Sequence, residues 1–195
     1  MKWLIDSWYK PQPIRWLLSP LSALYRLVIT SRKLCYHLGI FKQHSVPVPV
    51  IIVGNISVGG TGKTPFVIWL IKQLQQQGFK PGIISRGYGG NAECYPLAVN
   101  KDSDPAIVGD EPILIARQTS SPMVVSPKRI EAANFLLEHH HCDVIIADDG
   151  LQHYALARNI EIVLVDAERE FGNQCCLPAG PLREPLSRLQ NVDFI

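Results

Sequence analysis

Continuous apolar runs alternate with segments of helical periodicity along most of the chain. The apolar runs predict strands at Val46–Gly54 (with its continuous part from Pro49), Pro81–Ser85, Val124–Val125, Asp143–Ala147 and Ile160–Val165. Helical periodicity predicts helices at Thr64–Gln77, Glu111–Gln118, with Asp110 as its cap, and Pro127–His139. Runs without strict alternation are typical of parallel strands that are buried on both faces. The pattern therefore predicts an α/β fold with a mostly parallel, doubly wound sheet and helices on both faces.

A different pattern precedes this region. Apolar residues recur near helical spacing from Pro20 to Leu38 and predict an amphipathic helix. Residues 1–43 carry seven Lys/Arg and one acid, whereas the remaining chain carries twelve basic and sixteen acidic side chains. Pro20 and Arg26 interrupt the best apolar stretch, which falls short of the roughly 20 residues that a membrane span needs.

This segment therefore predicts a helix at an anionic membrane surface, with no transmembrane span. The same periodicity also fits a helix that packs on the protein's own core, and it does not separate the two. We expect two parts: a basic, Trp-rich membrane-surface segment at 1–43 and an α/β core at 44–195.

Composition narrows the class of protein. A chain of 195 residues with 47% apolar residues can bury one core, and a net charge of +2 gives no reason to expect nucleic acid as a partner. Five cysteines without a C-x-x-C pair indicate neither a disulfide framework nor a zinc site.

A glycine-rich loop follows the first strand and leads into a helix. In such a loop, backbone amides and the helix N-terminus cradle phosphate oxygens, the lysine neutralises the β- and γ-phosphates and the hydroxyl after it binds Mg²⁺. Ser57 stands where the usual pattern has its first glycine. The predicted ATP-binding residues are Ser57, Val58, Gly59, Gly60, Thr61, Gly62, Lys63 and Thr64.

Two acids end the strand that begins at Asp143. In P-loop enzymes an acid at the end of a neighbouring strand holds the Mg²⁺ that bridges the phosphates, so Asp148 and Asp149 are predicted to serve the metal and catalysis. Adjacent strand residues face opposite ways, and the pattern leaves open which carboxylate contacts the ion.

The chain ends at an apolar stretch. Val192–Ile195 predicts the start of another buried strand, and a domain rarely ends inside its core. We therefore expect the sequence to be part of a longer protein.

Five ordered motifs together resemble one family, the tetraacyldisaccharide 4′-kinases (lipid A 4′-kinases) of Gram-negative bacteria. They are GNISVGGTGKTP, SRGYGG (85–90), VGDEP (108–112), DDGLQH (148–153) and LPAGPLREP (177–185). The resemblance implies a P-loop enzyme that transfers the γ-phosphate of ATP, with Mg²⁺, to the 4′-hydroxyl of a tetraacyldisaccharide 1-phosphate. It also implies a peripheral location at the cytoplasmic face of the inner membrane, with the lipid A disaccharide precursor as partner, and we infer no protein partner.

The resemblance also suggests roles for single residues. Asp110 is the expected general base, with Lys63 and Asp149 as further catalytic residues, and Thr64, Asp148 and Glu184 are the expected metal ligands. Expected contacts to the acceptor come from Arg86, Tyr88, Glu111, Gln152, His153 and Arg183.

Two other functions compete with this one. Membrane-associated partitioning ATPases share the Gly-Gly-x-Gly-Lys-Thr loop, but they carry a lysine where this chain has Val58. The other possibility is a truncated protein that binds nucleotide without catalysis, because the family's further C-terminal portion includes a histidine that no residue of this chain replaces.

Overall fold

The computed structural model of the chain describes residues 2–10 and 13–195. The described chain forms two compact units. One comprises Met1–Lys42, Asn55–Thr61 and Val163–Ile195, and the other comprises Gln43–Gly54 and Gly62–Ile162.

The second unit is built on a mostly parallel sheet. Its six strands lie in the order β3-β4-β2-β5-β1-β6, with β1, β2, β4 and β5 parallel and β3 antiparallel to β4. All residues of β1, β2 and β5 are buried, so the prediction of an α/β fold with parallel strands covered on both faces is confirmed. The strands are β1 Val50–Gly54, β2 Pro81–Ser85, β3 Leu97–Val99, β4 Met123–Val125, β5 Val144–Asp148 and β6 Ile160–Val163.

The helices of this unit follow the strands. They are α3 Lys63–Gln76, α4 Pro105–Val108, α5 Asp110–Gln118 and α6 Arg129–His139. The predicted helices are present with ends that shift by one or two residues, whereas β3 and α4 were not predicted. Gly109, and not Asp110, occupies the N-cap of α5; Asp110 is the first helical residue, so its prediction as a cap is wrong.

Two predicted strands are too long. The first begins at Val50 rather than Val46, because Pro47 and Pro49 have no amide hydrogen to donate to a neighbouring strand. The last ends at Val163 rather than Val165.

Two helices open the first unit: α1 Lys2–Tyr9, which was not predicted, and α2 Ile14–His37. The predicted amphipathic helix is confirmed, but α2 begins six residues before Pro20 and includes it. Pro20 is exposed, so the carbonyl that its ring leaves without a donor can bond to water. A 3₁₀-helix at Leu186–Asn191 completes the regular structure of this unit.

The apolar side chains of α2 point to solvent. Ser22 is the buried residue of the helix, whereas Trp16 is 71% exposed. Most of the apolar positions of α2 therefore do not pack on the described part of the chain. We call this exposed surface the apolar face of α2; it comprises Trp16, Leu17, Leu21, Leu24, Leu27, Val28 and Leu34, together with Leu38 at the C-cap.

The opposite side of α2 is held by hydrogen bonds. The Ser22 hydroxyl donates to the carbonyls of Cys176 and Leu177, and the Tyr25 hydroxyl donates to the Arg183 carbonyl over 3.0 Å. These bonds use the polar side of the helix, which explains why its apolar side faces outward. Within the described residues, no helix combines the length and apolar character needed to cross a bilayer.

The C-terminal stretch is not the buried strand predicted from Val192. The Val163 amide donates one hydrogen bond to the Phe194 carbonyl over 2.9 Å, but Phe194 and Ile195 are 59% and 70% exposed. A single bond to β6 aligns this stretch without covering its side chains.

Candidate active site

A buried carboxylate ends β5. Asp148 is 1% exposed, and within the described part of the chain neither of its carboxylate oxygens has a hydrogen-bond partner. Burial raises the pKa of Asp148 to about 7; Glu111 and Asp149 add to the rise, and Lys63 and Arg129 oppose it. The nearby positive charges do not offset the rise in the pKa of this carboxylate. An additional cation would do so, which is the electrostatic character of a cation site.

The next residue has a different environment. Asp149 adopts a left-handed conformation with φ 48°, which ends the strand, and its Oδ1 lies 3.7 Å from Lys63 Nζ. Lys63 is the first residue of α3, so the end of β5 and the start of this helix meet at an ion pair. Asp149 is therefore paired and partly exposed, whereas Asp148 is buried without a hydrogen-bond partner.

Arg129 supports both acids through their backbone. This arginine, at the start of α6, is 3% exposed and donates to the carbonyls of Ser126, Asp148 and Asp149 over 3.1, 3.3 and 3.5 Å. Burial lowers its pKa to about 10, which leaves it charged at neutral pH. Arg129 was not among the predicted site residues; its one signal in the sequence is a basic residue shortly after a predicted strand.

Arg158 holds the loop that follows the two acids. Its guanidinium donates to the carbonyls of Leu151, His153 and Leu156, and its Nη1 lies 2.9 Å from Glu161 Oε1. Gln152 and His153 are carried by this loop and are half-buried. Arg158 was not among the predicted site residues, and it holds the carbonyls on either side of Gln152.

Two glycine-containing motifs, residues 85–90 and 108–112, are in close contact at the start of α5. A Cβ on Gly109, which has φ 91°, would lie 2.5 Å from the Tyr88 carbonyl oxygen, so glycine is required there. This close approach brings residues 85–90 next to the start of α5, where Asp110 is exposed. Arg86 is exposed on the same loop, and its charge contributes to the low pKa of Arg129.

In the first unit, Asn55 braces the glycine-rich loop. Its Nδ2 donates to the Gly59 carbonyl over 3.3 Å and to Thr61 Oγ1 over 3.2 Å. Glycine is needed at Gly59, where φ is 119°. Ser57 instead forms an antiparallel bridge with Leu182, and this extended conformation explains why serine can replace the usual first glycine.

Arg183 and Glu184 also belong to the first unit. The Arg183 amide donates to the Ile56 carbonyl over 2.6 Å, which ties this segment to the glycine-rich loop. Glu184 is buried, with its Oε2 3.4 Å from Arg188 Nε. The predicted metal role of Glu184 stays a prediction, and its observed partner is an arginine.

Asp148 offers carboxylate oxygens, which are the ligand type that Mg²⁺ prefers. No group of three His, Cys, Asp or Glu side chains that could hold an ion occurs within residues 2–10 and 13–195. Mg²⁺ is commonly bound by one or two carboxylates together with substrate phosphates. The buried oxygens of Asp148 fit that requirement.

The parallel sheet, the glycine-rich loop before α3 and the acids at the end of β5 define a P-loop protein of the α/β class. A family model described as tetraacyldisaccharide-1-P 4′-kinase (LpxK) matches residues 14–195. The chain belongs to this family.

Similar proteins agree with that assignment. The chain is 57% identical over 192 residues to a tetraacyldisaccharide 4′-kinase from Nitrosococcus oceani, covering 98% of this chain and 57% of the relative. It is 55% identical over 195 residues to the enzyme of the same name from Methylobacillus flagellatus, covering 100% of this chain and 58% of the relative. A crystal structure of "apo" form LpxK from Aquifex aeolicus in complex with ATP matches with a TM-score of 0.83 and 37% identity, over 92% of this chain and 57% of that one. The chain thus spans a little over half the length of the proteins it matches.

Proposed function

We propose that this chain carries the nucleotide-binding and acceptor-binding part of an ATP-dependent lipid kinase. The reaction is transfer of the γ-phosphate of ATP to the 4′-hydroxyl of a tetraacyldisaccharide 1-phosphate, a step of lipid A biosynthesis. The observation that carries the proposal is the buried, unbonded carboxylate of Asp148 beside the Lys63–Asp149 ion pair, in a chain of this kinase family.

Residues 57–64 bind the phosphates of ATP in this proposal. Lys63 neutralises the β- and γ-phosphates, and its ion pair with Asp149 holds it ready at the start of α3. Thr64 and Asp148 would hold Mg²⁺, with Glu184 as a further ligand. When bound, the ion supplies charge stabilisation on the transferred phosphoryl group.

The acceptor hydroxyl is activated by Asp110. Its carboxylate is exposed at the first turn of α5, next to the loop of Arg86 and Tyr88, and is open to a substrate. A carboxylate base suffices because phosphoryl transfer depends chiefly on positioning and charge stabilisation. Further contacts to the sugar and its phosphate come from Arg86, Tyr88, Glu111, Gln152, His153 and Arg183.

The acceptor reaches this protein at a membrane surface. A tetraacylated sugar leaves a bilayer only at a cost of about 0.8 kcal/mol per methylene, so the enzyme must approach the lipid. The exposed apolar face of α2 and the basic residues of 1–43 support a peripheral contact with anionic lipid. The expected site of action is the cytoplasmic face of the inner membrane.

Phosphate transfer tests the proposal directly. The 195-residue chain and the product of its complete reading frame are each incubated with labelled ATP, Mg²⁺ and the tetraacyldisaccharide 1-phosphate. Label in the lipid is expected, and ATP hydrolysis without labelled lipid from the complete product would contradict the proposal.

Asp110→Asn isolates the proposed base. We expect ATP affinity to be unchanged and kcat to fall by about 10²–10⁴, the usual contribution of a general base. Asp102→Asn, in an exposed turn, makes the same chemical change and should leave kcat unaltered. An unchanged kcat for Asp110→Asn would assign the base elsewhere.

A further inference from the structure

A cavity of about 620 Å³ lies in the first unit along α2. The helix contributes Arg15, Trp16, Ser22 and Arg26 to its lining, and the facing wall includes Cys175 and Cys176. None of the residues assigned above to nucleotide, metal or acceptor lines it. The cavity therefore lacks an assigned role.

The lining carries positive charge without a counter-charge. Arg15 and Arg26 both line the cavity, and among the described residues of its lining there is no Asp or Glu. The side chains of these arginines make no hydrogen bond or ion pair with any described residue; Arg15 packs over the Trp16 ring at 5.1 Å. Burial raises the pKa of the Cys176 thiol while the Arg26 charge opposes the rise, so Arg26 lies near the facing wall.

Apolar surface adjoins these charges. Trp16 belongs both to the cavity lining and to the apolar face of α2. Arg26 follows Arg15 by eleven residues, a rise of about 16 Å along the helix, and the lining residues Ser19, Ser22 and Ala23 between them have small side chains. A ligand that suits this lining is anionic at its polar end and apolar over the remainder.

We propose that this cavity binds an anionic phospholipid of the membrane, with its anionic head group along the lining from Arg15 to Arg26 and part of an acyl chain against Cys175, beside the hydrogen bond that joins Ser22 to Cys176. Arginine suits phosphate because its planar donors match the phosphate oxygens. The inference rests on the membrane contact proposed above for α2, and it is independent of the kinase reaction. It adds a defined lipid site to a contact that is otherwise made by an exposed surface.

A soluble lipid tests the cavity apart from the membrane surface. Dihexanoyl phosphatidylglycerol, used as monomers, is titrated into the protein by calorimetry. We expect saturable binding of one lipid, with weaker binding of dihexanoyl phosphatidylcholine and of inorganic phosphate. Absence of saturation, or equal affinity for inorganic phosphate, would overturn the proposal. A protein that binds an acylated glucosamine 1-phosphate but not the phosphatidylglycerol would also overturn it.

Matched variants separate the cavity from general charge attraction. Arg26→Gln and Arg15→Gln should each weaken lipid binding about tenfold or more, as expected for lost charge-assisted hydrogen bonds. Arg32→Gln makes the same charge change on α2 outside the cavity lining and should alter affinity less than about twofold. Equal losses in all three variants would overturn the proposal.

Two further measurements leave the charge unaltered. Ala23→Trp fills the cavity and should abolish binding while circular dichroism shows an intact fold. Alkylation of Cys175 by N-ethylmaleimide should slow when the soluble lipid is bound, whereas alkylation of the exposed Cys94 should not. Normal binding by Ala23→Trp, or unprotected Cys175, would exclude this cavity.

Discussion

The end of β5 and the surface of α2 depart from ordinary burial in opposite directions. Asp148 places a carboxylate among buried residues without a hydrogen-bond partner in the described chain, whereas α2 exposes apolar side chains and buries a serine. Each arrangement has a cost, because buried charge is poorly solvated and exposed leucines order water. Neither is needed to form the sheet or the helix.

This difference indicates which kind of ligand each region is suited to bind. A buried acid is satisfied by a cation, and an exposed apolar face is satisfied by an apolar phase. Local departures of this type are expected at functional sites rather than within the supporting fold. The proposed Mg·ATP site and membrane contact correspond to these two departures.

Asp148→Asn gives the largest expected effect. The native pKa of Asp148, about 7, lies above the ordinary value of 3.8 for an aspartate, so between about pH 4 and pH 7 the folded protein keeps a proton that the unfolded chain has released. The free energy of unfolding of the wild type therefore falls as the pH rises through this range. Asp148→Asn has no carboxylate at this position, so this contribution to the fall is absent from the variant. Between pH 4 and pH 8 the free energy of unfolding of the variant should gain on the wild type by on the order of 4 kcal/mol.

Urea unfolding at several pH values measures this gain. Asp102→Asn, at an exposed position, should follow the wild type at every pH. A pH-independent difference between Asp148→Asn and the wild type would show that burial of this carboxylate is not costly.

Lys63→Ala tests the positive charge that lies next to the two acids at the end of β5. The variant removes the cation that opposes the raised pKa of Asp148 and pairs with Asp149, and it should weaken Mg·ATP binding by roughly 10- to 150-fold. Lys72→Ala, on the exposed side of the same helix, is the matched control and should bind normally. Calorimetry measures the affinity of each variant for Mg·ATP. Equal affinity of the two variants would show that Lys63 does not bind the phosphates.

Leu24→Gln tests the apolar face of α2 and has the smallest expected effect. Because Leu24 is exposed, its loss should leave the free energy of unfolding within about 0.5 kcal/mol. Partitioning onto vesicles that contain phosphatidylglycerol should weaken about tenfold, since a leucine no longer enters the bilayer. Leu114→Gln, an exposed leucine on α5, should partition like the wild type in a vesicle sedimentation assay, and a parallel loss there would argue against α2 as the contact.

The central sheet was predictable because its signal is local. Continuous apolar runs marked β1, β2 and β5, which are buried throughout. In contrast, β3 has three residues and is paired with β4 from a later part of the chain, so local pattern does not reveal it. The start of α2 was misplaced because Pro20 reads as a helix boundary, although an exposed proline can lie inside a helix.

Candidate site residues could be proposed from the sequence only where they lie next to a predicted strand or helix. Lys63, Asp148 and Asp149 could be proposed because each follows or ends a predicted element, and their roles stay predictions. Arg129 and Arg158 were missed because their importance lies in contacts to backbone carbonyls around β5, which no spacing encodes. Charged residues are mostly exposed, so their burial could not be assumed.

The buried carboxylate of Asp148 links the stability of the native fold to cation binding. Any cation complex that neutralises this carboxylate in the native state stabilises the fold by mass action. If that complex is Mg·ATP, molecules starved of nucleotide open more often and are degraded sooner, because proteases act on the opened population. The abundance of the protein would then follow the energy supply of the cell without a dedicated regulator.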